Sequence, residues 1–173
     1  KSLKIKYLVY EATDACNSRC KHCNIWRIQP TANLLKPKDL ERILSDDLFK
    51  KLKSVLITGG EPFLRSDLKE IITLIHKTRP KAEITLSTNA LMPEAVLDVV
   101  NYTIVNEIPA NIGVSLDGME KQHDFIRGVE GNFKKADYLL QELVKLKKKY
   151  KDKMGLIIIG FTLSNLTVDN LAN

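Results

Sequence analysis

The chain is 173 residues long, with 44% hydrophobic and 28% charged residues, enough apolar content to bury one core and too much for a disordered chain. No apolar run reaches the roughly 18 residues of a membrane span, and the opening residues interleave charges where a secretory leader needs an unbroken apolar stretch. The net charge is +6, but much of the excess is one lysine run from Lys145 to Lys153 that closes a helix-like segment, where cations meet the favourable end of the macrodipole. No aromatic ladder accompanies that run, so a solvated helix end is expected ahead of a docking patch, and nucleic acid is not an expected partner.

Residues 6–13 read as a first strand. It leads directly into CNSRCKHC, which holds all three cysteines of the chain, Cys16, Cys20 and Cys23. Thiolates spaced C-x3-C-x2-C can converge on one soft metal centre, because a short loop folds around it. Structural zinc takes four ligands and iron–sulfur clusters are usually held by four cysteines. Three cysteines with no fourth therefore point to a cluster with one open iron. Zinc completed by His22, His76 or His123 is an alternative, as are free redox thiols. An odd, clustered set of thiols without a leader makes a reducing cytoplasm the expected compartment.

Residues 37–53 read as a helix, with Pro37 in its first turn and Leu40, Ile43, Leu44 and Leu48 on one face. Residues 55–58 form a short buried strand ending at Gly59-Gly60. Asp67 and Glu70 suggest a capping box for a helix with the stripe Leu68, Ile71, Ile72 and Ile75. A strand at 83–87 and a helix opening at 93–100 follow, then a strand at 111–116. Residues 132–149 form a long helix with Phe133, Ala136, Leu140 and Leu143 inward. Residues 156–163 are so continuously apolar that a strand covered on both faces is expected, and LTVDNLAN begins another helix. Alternating β and α segments imply a parallel sheet, doubly wound or barrel-like. The expected fold is α/β, an incomplete, TIM-like parallel (βα) barrel of about five units. Residues 1–173 are then one core domain, a fragment lacking its last strands and any C-terminal extension.

Polar or glycine-rich motifs follow the strands at the same end. After the cysteines come GGEP (Gly59, Gly60, Glu61, Pro62), STN (Ser87, Thr88, Asn89) and SLDG (Ser115, Leu116, Asp117, Gly118). In parallel α/β architectures the C-terminal strand ends form the binding face. Plainer readings exist for each. Gly-Gly suits a strand exit, Ser87 to Asn89 suit a turn or cap, and Asp117-Gly118 is an ordinary turn pair. Glu61 is the hardest to explain structurally, since Pro62 fixes the chain behind it and leaves a carboxylate at the rim.

CNSRCKHC with GGEP, and SLDG followed by HDFIRG, resemble the radical SAM superfamily over essentially the whole chain. Within it they are similar to the branch of molybdenum-cofactor, quinone-cofactor and sulfatase-maturating (SPASM-like) enzymes. The resemblance implies a [4Fe–4S] cluster on Cys16, Cys20 and Cys23, its fourth iron taken by the amino and carboxylate groups of S-adenosylmethionine. His22, where an often aromatic residue precedes the third cysteine, would lie against the adenine. Gly59, Gly60 and Glu61 would receive the methionyl ammonium, which has three donors to place. Ser87 and Asn89 stand where ribose and carboxylate contacts are expected, and Ser115 would bond the ribose. Arg127 would clamp the methionyl carboxylate with its planar fork; the plainer reading is a surface salt bridge. The chain departs from the pattern on its fifth strand. Many relatives carry G-x-I-x-G-x-x-E there, whereas GLIIIGFTLSN has one residue too many between Gly155 and Gly160 and no Glu, leaving Ile158 or Ile159 for the adenine.

The implied activity is reductive cleavage of S-adenosylmethionine to a 5′-deoxyadenosyl radical that abstracts hydrogen from a peptide or small-molecule substrate. A flavodoxin- or ferredoxin-type reductant would supply the electron, and no side chain is assigned as an acid or base. Peptide maturation is the leading expectation and cofactor biosynthesis the next. The rival reading is a non-catalytic zinc or iron–sulfur module, in which GGEP, STN and SLDG have no purpose.

Overall fold

The computed structural model describes residues 3–31 and 33–168; of the helix expected from Leu166 onward, residues 169–173 lie outside them. Strands and helices follow one another as β1 (Tyr7–Thr13), α1 (Pro37–Ser45), β2 (Ser54–Gly59), α2 (Leu68–Thr78) and β3 (Glu83–Thr88). Then come α3 (Pro93–Val105), β4 (Ala110–Ser115), α4 (Glu120–Arg127), α5 (Asn132–Tyr150) and β5 (Ile157–Gly160). All five strands are parallel, in the order β1-β2-β3-β4-β5. A sheet whose spatial order never departs from chain order has no switch point, so it is the barrel arrangement and not the doubly wound one. The sheet is open, with β1 and β5 at its edges.

Side-chain alternation sorts the two faces. Val55, Ile57, Ile84, Leu86, Ile112 and Val114 are buried beneath helix residues such as Leu44, Ile71, Ile75, Val96 and Leu139. Full burial of each such side chain contributes about 1.5–3 kcal/mol. The other face is half-buried and polar, carrying Thr85, Ser87, Asn111 and Ser115. It forms the concave interior that leads to the C-terminal rim.

Several elements differ from expectation for local reasons. Helix α1 stops at Ser45 because Asp46 turns extended and its carboxylate accepts the Leu48 N–H at 2.7 Å, so a 3₁₀ turn carries Leu48 and Phe49. The capping box at Asp67 does not form, because Arg65 takes both carboxylate oxygens at 2.7 and 2.6 Å. HDFIRG, expected only as a motif, forms the last turns of α4 and its cap. In α5 the buried stripe is Asn132, Ala136, Leu139 and Leu143, with Phe133 and Leu140 only half-buried. Strand β5 is shorter than expected and is not covered on both faces, since Ile158 and Ile159 are 39% and 58% exposed at the sheet edge. The lysine run closes α5 as expected, with Lys147 donating to the carbonyls of Lys151 and Met154. Among the described residues no helix is long and apolar enough to cross a membrane.

Candidate functional site

The cysteine loop is held from two sides. On one, Gly60 N–H donates to Thr13 O at 2.6 Å and Glu61 N–H to Ala15 O at 2.8 Å. Such an approach needs glycine, because a Cβ at Gly60 would stand 2.0 Å from the Ala15 carbonyl oxygen. On the other, the end of α4 accepts from the loop: Arg19 N–H reaches Arg127 O at 3.1 Å, Lys21 N–H reaches Ile126 O at 2.8 Å, and the Ser18 hydroxyl reaches Arg127 O at 3.0 Å. Trp26 Nε1 donates to Cys20 O at 3.1 Å from within the loop itself.

These contacts close a cavity of about 350 Å³ at the C-terminal rim, within the usual range for small-molecule sites. Cys16, Cys20, Cys23, His22, Gly59, Gly60, Ser87, Asn89, Ser115 and Arg127 all line it. Glu61, by contrast, stands behind the wall, 1% exposed. Its carboxylate accepts from Phe63 N–H at 3.3 Å and Asn89 N–H at 2.7 Å, tying the exits of β2 and β3 together. Burial raises its pKa to about 7, against the pull of those N–H groups and the Thr88 hydroxyl. Neither Ile158 nor Ile159 is among the lining residues. A larger groove of about 1050 Å³ lies on the outer side between α4 and α5, but no cysteine lines it.

Arg127 is 7% exposed, and its Nε lies 2.8 Å from Oδ2 of Asp117, which is fully buried. The N–H does not point along that approach, so charge rather than a directed hydrogen bond holds the pair. A surface salt bridge is thereby ruled out for Arg127. Its Nη1 stands 3.8 Å from Cys20 Sγ. His22 Nε2 is 3.9 Å from the same Asp117 oxygen. Burial lowers the pKa of His22, with Asp117 opposing and Arg127 assisting, which favours the neutral ring. Burial likewise pushes the Cys16 thiol up; Glu61 and Cys20 add to this, while Ser18 and Asn89 oppose it.

Behind the cavity runs a buried polar chain that the sequence did not disclose. Asp117 N–H donates to His123 Nδ1 at 3.1 Å. Nε2 therefore carries the ring proton and donates to Asn132 Oδ1 at 3.2 Å. Asn132 Nδ2 donates to Asn89 O at 2.9 Å, and Asn89 Nδ2 to Asn17 Oδ1 at 2.8 Å, 3.8 Å from Cys16 Sγ. Asp124 caps α5 by accepting from Gly131 and Phe133 N–H at 2.6 and 2.7 Å. HDFIRG was the available signal for His123 and Asp124; nothing local marked Asn132.

Two of the three histidines weighed as a fourth zinc ligand are excluded, whereas His22 lines the same cavity as the thiols, its Nδ1 unpaired among the described residues. Both nitrogens of His123 are committed, and His76 ends α2, which returns the chain to the far end of the sheet. Among the described residues no three His, Cys, Asp or Glu side chains are gathered around a single-ion site. All three thiols are free.

Fold and rim together define a barrel-type cofactor-binding core with its site at the C-terminal strand ends. Residues 10–172 match the Radical SAM superfamily, and the chain belongs to that superfamily of enzymes. It is 30% identical over 122 residues to GTP 3′,8-cyclase of Sulfurovum sp., covering 68% of this chain and 36% of that one. It is 38% identical over 117 residues to GTP 3′,8-cyclase of Aquifex aeolicus, covering 64% and 36%. The chain thus spans about a third of the length of these relatives. Among solved structures, Streptococcus suis SuiB bound to precursor peptide SuiA aligns with a TM-score of 0.66 at 21% identity, covering 99% of this chain and 36% of that one. Native anSMEcpe with bound AdoMet and Cp18Cys peptide aligns at 0.61 and 22%, covering 88% and 42%. These two likenesses establish the fold, a parallel barrel core.

The superfamily implies S-adenosylmethionine and a [4Fe–4S] cluster, and the residues present fit both. Three free thiols face one cavity, the donor set that iron–sulfur clusters use. A buried guanidinium and glycine backbone lining the same cavity suit the carboxylate and ammonium of an amino acid.

Proposed function

We propose that this chain binds a [4Fe–4S] cluster through Cys16, Cys20 and Cys23, binds S-adenosylmethionine along the rest of the rim, and cleaves it reductively to abstract hydrogen from a substrate. The observation that carries the reading is the clamped cysteine loop, which sets three thiols and Arg127 around one cavity. When bound, the cluster supplies the single electron that splits the sulfonium into methionine and a 5′-deoxyadenosyl radical. The chain's own residues bind and orient. With Nε held on Asp117, the two Nη groups of Arg127 are the donors left for the methionyl carboxylate. Carbonyls at Gly59 and Gly60 receive the ammonium, and Glu61 braces that wall from behind. Ser87, Asn89 and Ser115 supply the polar edge for the ribose, and His22 offers the adenine a neutral ring.

The reductant in this reading is a flavodoxin- or ferredoxin-type carrier, and a reducing cytoplasm is the compartment in which free thiols and such a carrier coexist. Two substrate classes are supported by the names of the relatives, GTP and a precursor peptide. The test uses the full-length protein, reconstituted anaerobically with iron and sulfide and reduced with dithionite. Slow formation of 5′-deoxyadenosine without substrate is expected, since the binding apparatus lies between Cys16 and Arg127. No 5′-deoxyadenosine from cluster-loaded protein, with or without GTP or candidate peptides, would leave the non-catalytic metal module as the better account.

A further inference from the structure

We propose that the outer face of the cysteine loop is the docking surface for an acidic one-electron carrier protein; this rests on the radical SAM reading. Arg19 and Arg27 both stack on Trp26, with guanidinium carbons 5.3 and 4.8 Å from the ring centroid. Lys21 Nζ lies 3.8 Å from the Phe125 ring centroid. All three cations are exposed, and among the described residues none forms a salt bridge. The Arg19 guanidinium bonds the backbone carbonyls of Cys16 and Ser18. The lysine-rich end of α5 differs in place: it precedes the start of β5, at the end of the sheet away from the thiols, and there Lys145 and Lys153 meet Glu142 and Glu107. Unpaired positive charge is thus displayed on the loop that carries the thiols.

The patch also has an apolar contact surface. Phe125 is 58% exposed, and Trp26 is half-buried between two guanidinium groups. Aromatic anchors ringed by arginine and lysine are the composition of a protein contact, and the charges steer an anionic partner onto it. Trp26 Nε1 donates directly to Cys20 O at 3.1 Å, and Lys21 follows Cys20 in sequence. A carrier seated on Trp26 therefore stands one residue from a thiol. In the transfer the carrier is oxidised by one electron and the centre held by the thiols is reduced by one; no bond forms or breaks. An extended nucleic acid fits less well. Beyond Phe125 the neighbouring groove mixes the exposed carboxylates of Glu120, Glu130 and Asp137 with the exposed amines of Lys121 and Lys134, so the unmixed positive surface stops at the loop and offers a polyanion no continuous track along α4.

The test compares the full-length, cluster-loaded protein with Lys21→Glu/Arg27→Glu, whose native side chains stack on Phe125 and Trp26 but make no hydrogen bond or salt bridge among the described residues, and with the milder Lys21→Gln/Arg27→Gln. Oxidised flavodoxin is titrated calorimetrically between about 50 and 300 mM salt, a range over which screening changes strongly. Wild-type binding should weaken with salt, fall about tenfold or more in the charge-reversed variant, and fall to an intermediate degree in the neutral one. Iron content should be unchanged, and so should dithionite-driven 5′-deoxyadenosine formation, since a small reductant needs no docking surface; flavodoxin-driven formation should collapse. Equal flavodoxin affinity in all three proteins would overturn the proposal. So would a patch that binds a single-stranded oligonucleotide and not flavodoxin. A wild type inert even to dithionite refutes the radical reading itself, a result distinct from one that turns over with dithionite and ignores the carrier.

Discussion

Replacing Gly60 by alanine tests the clamp on the cysteine loop. The added Cβ would stand 2.0 Å from the Ala15 carbonyl oxygen, 2.5 Å from its carbonyl carbon and 3.0 Å from the Asp14 carbonyl carbon. All three are backbone atoms, so no side chain can swing clear. The Ala15 peptide must retreat by about 1 Å to reach the 3.0 Å at which Cβ contacts begin to occur. Ala15 immediately precedes Cys16, so the shift passes to the first thiol, while functional constellations tolerate only about 0.5 Å of misplacement. The retreat also stretches the bonds from Gly60 and Glu61 N–H to Thr13 and Ala15. Overpacking costs about 1–3 kcal/mol and each weakened hydrogen bond about 0.5–1.5 kcal/mol, for a total of about 2–6 kcal/mol. Urea unfolding of the metal-free protein should show that loss, and iron and sulfide per chain after reconstitution should fall. Gly131→Ala is the control. Its φ is +76° with nothing within 4 Å of the added carbon, so only backbone strain of about 1–2 kcal/mol is expected, with loading intact. Wild-type iron content and S-adenosylmethionine affinity in Gly60→Ala would refute the clamp.

Cys16→Ala, Cys20→Ala and Cys23→Ala should each lose the cluster's visible absorbance, because these 173 residues hold no spare cysteine; any single variant of this chain that keeps four irons would end the three-ligand assignment. Arg127→Ala strands a buried Asp117 charge and should destabilise by about 3–5 kcal/mol. Affinity is therefore better read from Arg127→Lys, which keeps a cation but loses the fork and should weaken S-adenosylmethionine binding by about 1.5–3 kcal/mol; unchanged calorimetric affinity would assign Arg127 to Asp117 alone. Glu61, raised from 4.5 to about 7, binds its proton more tightly folded than unfolded, so it contributes stability that is full below about 4.5 and lost as pH rises to about 7. Glu61→Gln should remove that slope from urea midpoints of the metal-free protein. The difference between the two proteins isolates Glu61 from His22 and His123, whose burial-lowered values act in the opposite sense; identical slopes would show that Glu61 does not titrate there.

What was legible in the sequence had a local pattern behind it. The stripe Leu68, Ile71, Ile72 and Ile75 identified α2, and the alternation of units identified a parallel barrel. The strand-end motifs identified the rim because parallel connectivity puts every strand exit on one side. Helix α4 escaped because its buried positions are His123, Ile126 and Arg127; a helix that turns polar residues toward a site has no apolar stripe to detect. The end of α1 and the vacant cap at Asp67 escaped because each depends on a side chain two residues away competing for the same groups. The apolar run of β5 reads identically at an edge and in a covered position, so exposure there was invisible. Asn132 and Asn89 are 43 residues apart, and no local period encodes such a pairing.

That long-range chain explains why residues in three separate motifs act as one frame. Asp117 is engaged through three of its polar groups. Oδ1 accepts from Thr162 N–H at 2.8 Å, Oδ2 faces Arg127 and His22, and its N–H fixes the acceptor nitrogen of His123. His123 must then be neutral, because a second ring proton would confront the Asp117 N–H, and burial favours the same state. Its remaining N–H fixes Asn132, which fixes Asn89, whose amide lies beside Cys16 and whose N–H holds Glu61. A buried network whose members satisfy one another has few alternative arrangements, since each displaced member leaves a partner unpaired at low dielectric. The guanidinium assigned to the methionyl carboxylate and the thiol assigned to the cluster are therefore positioned by one set of bonds. Holding both sites in a single register is the geometric condition that the proposed electron transfer would require.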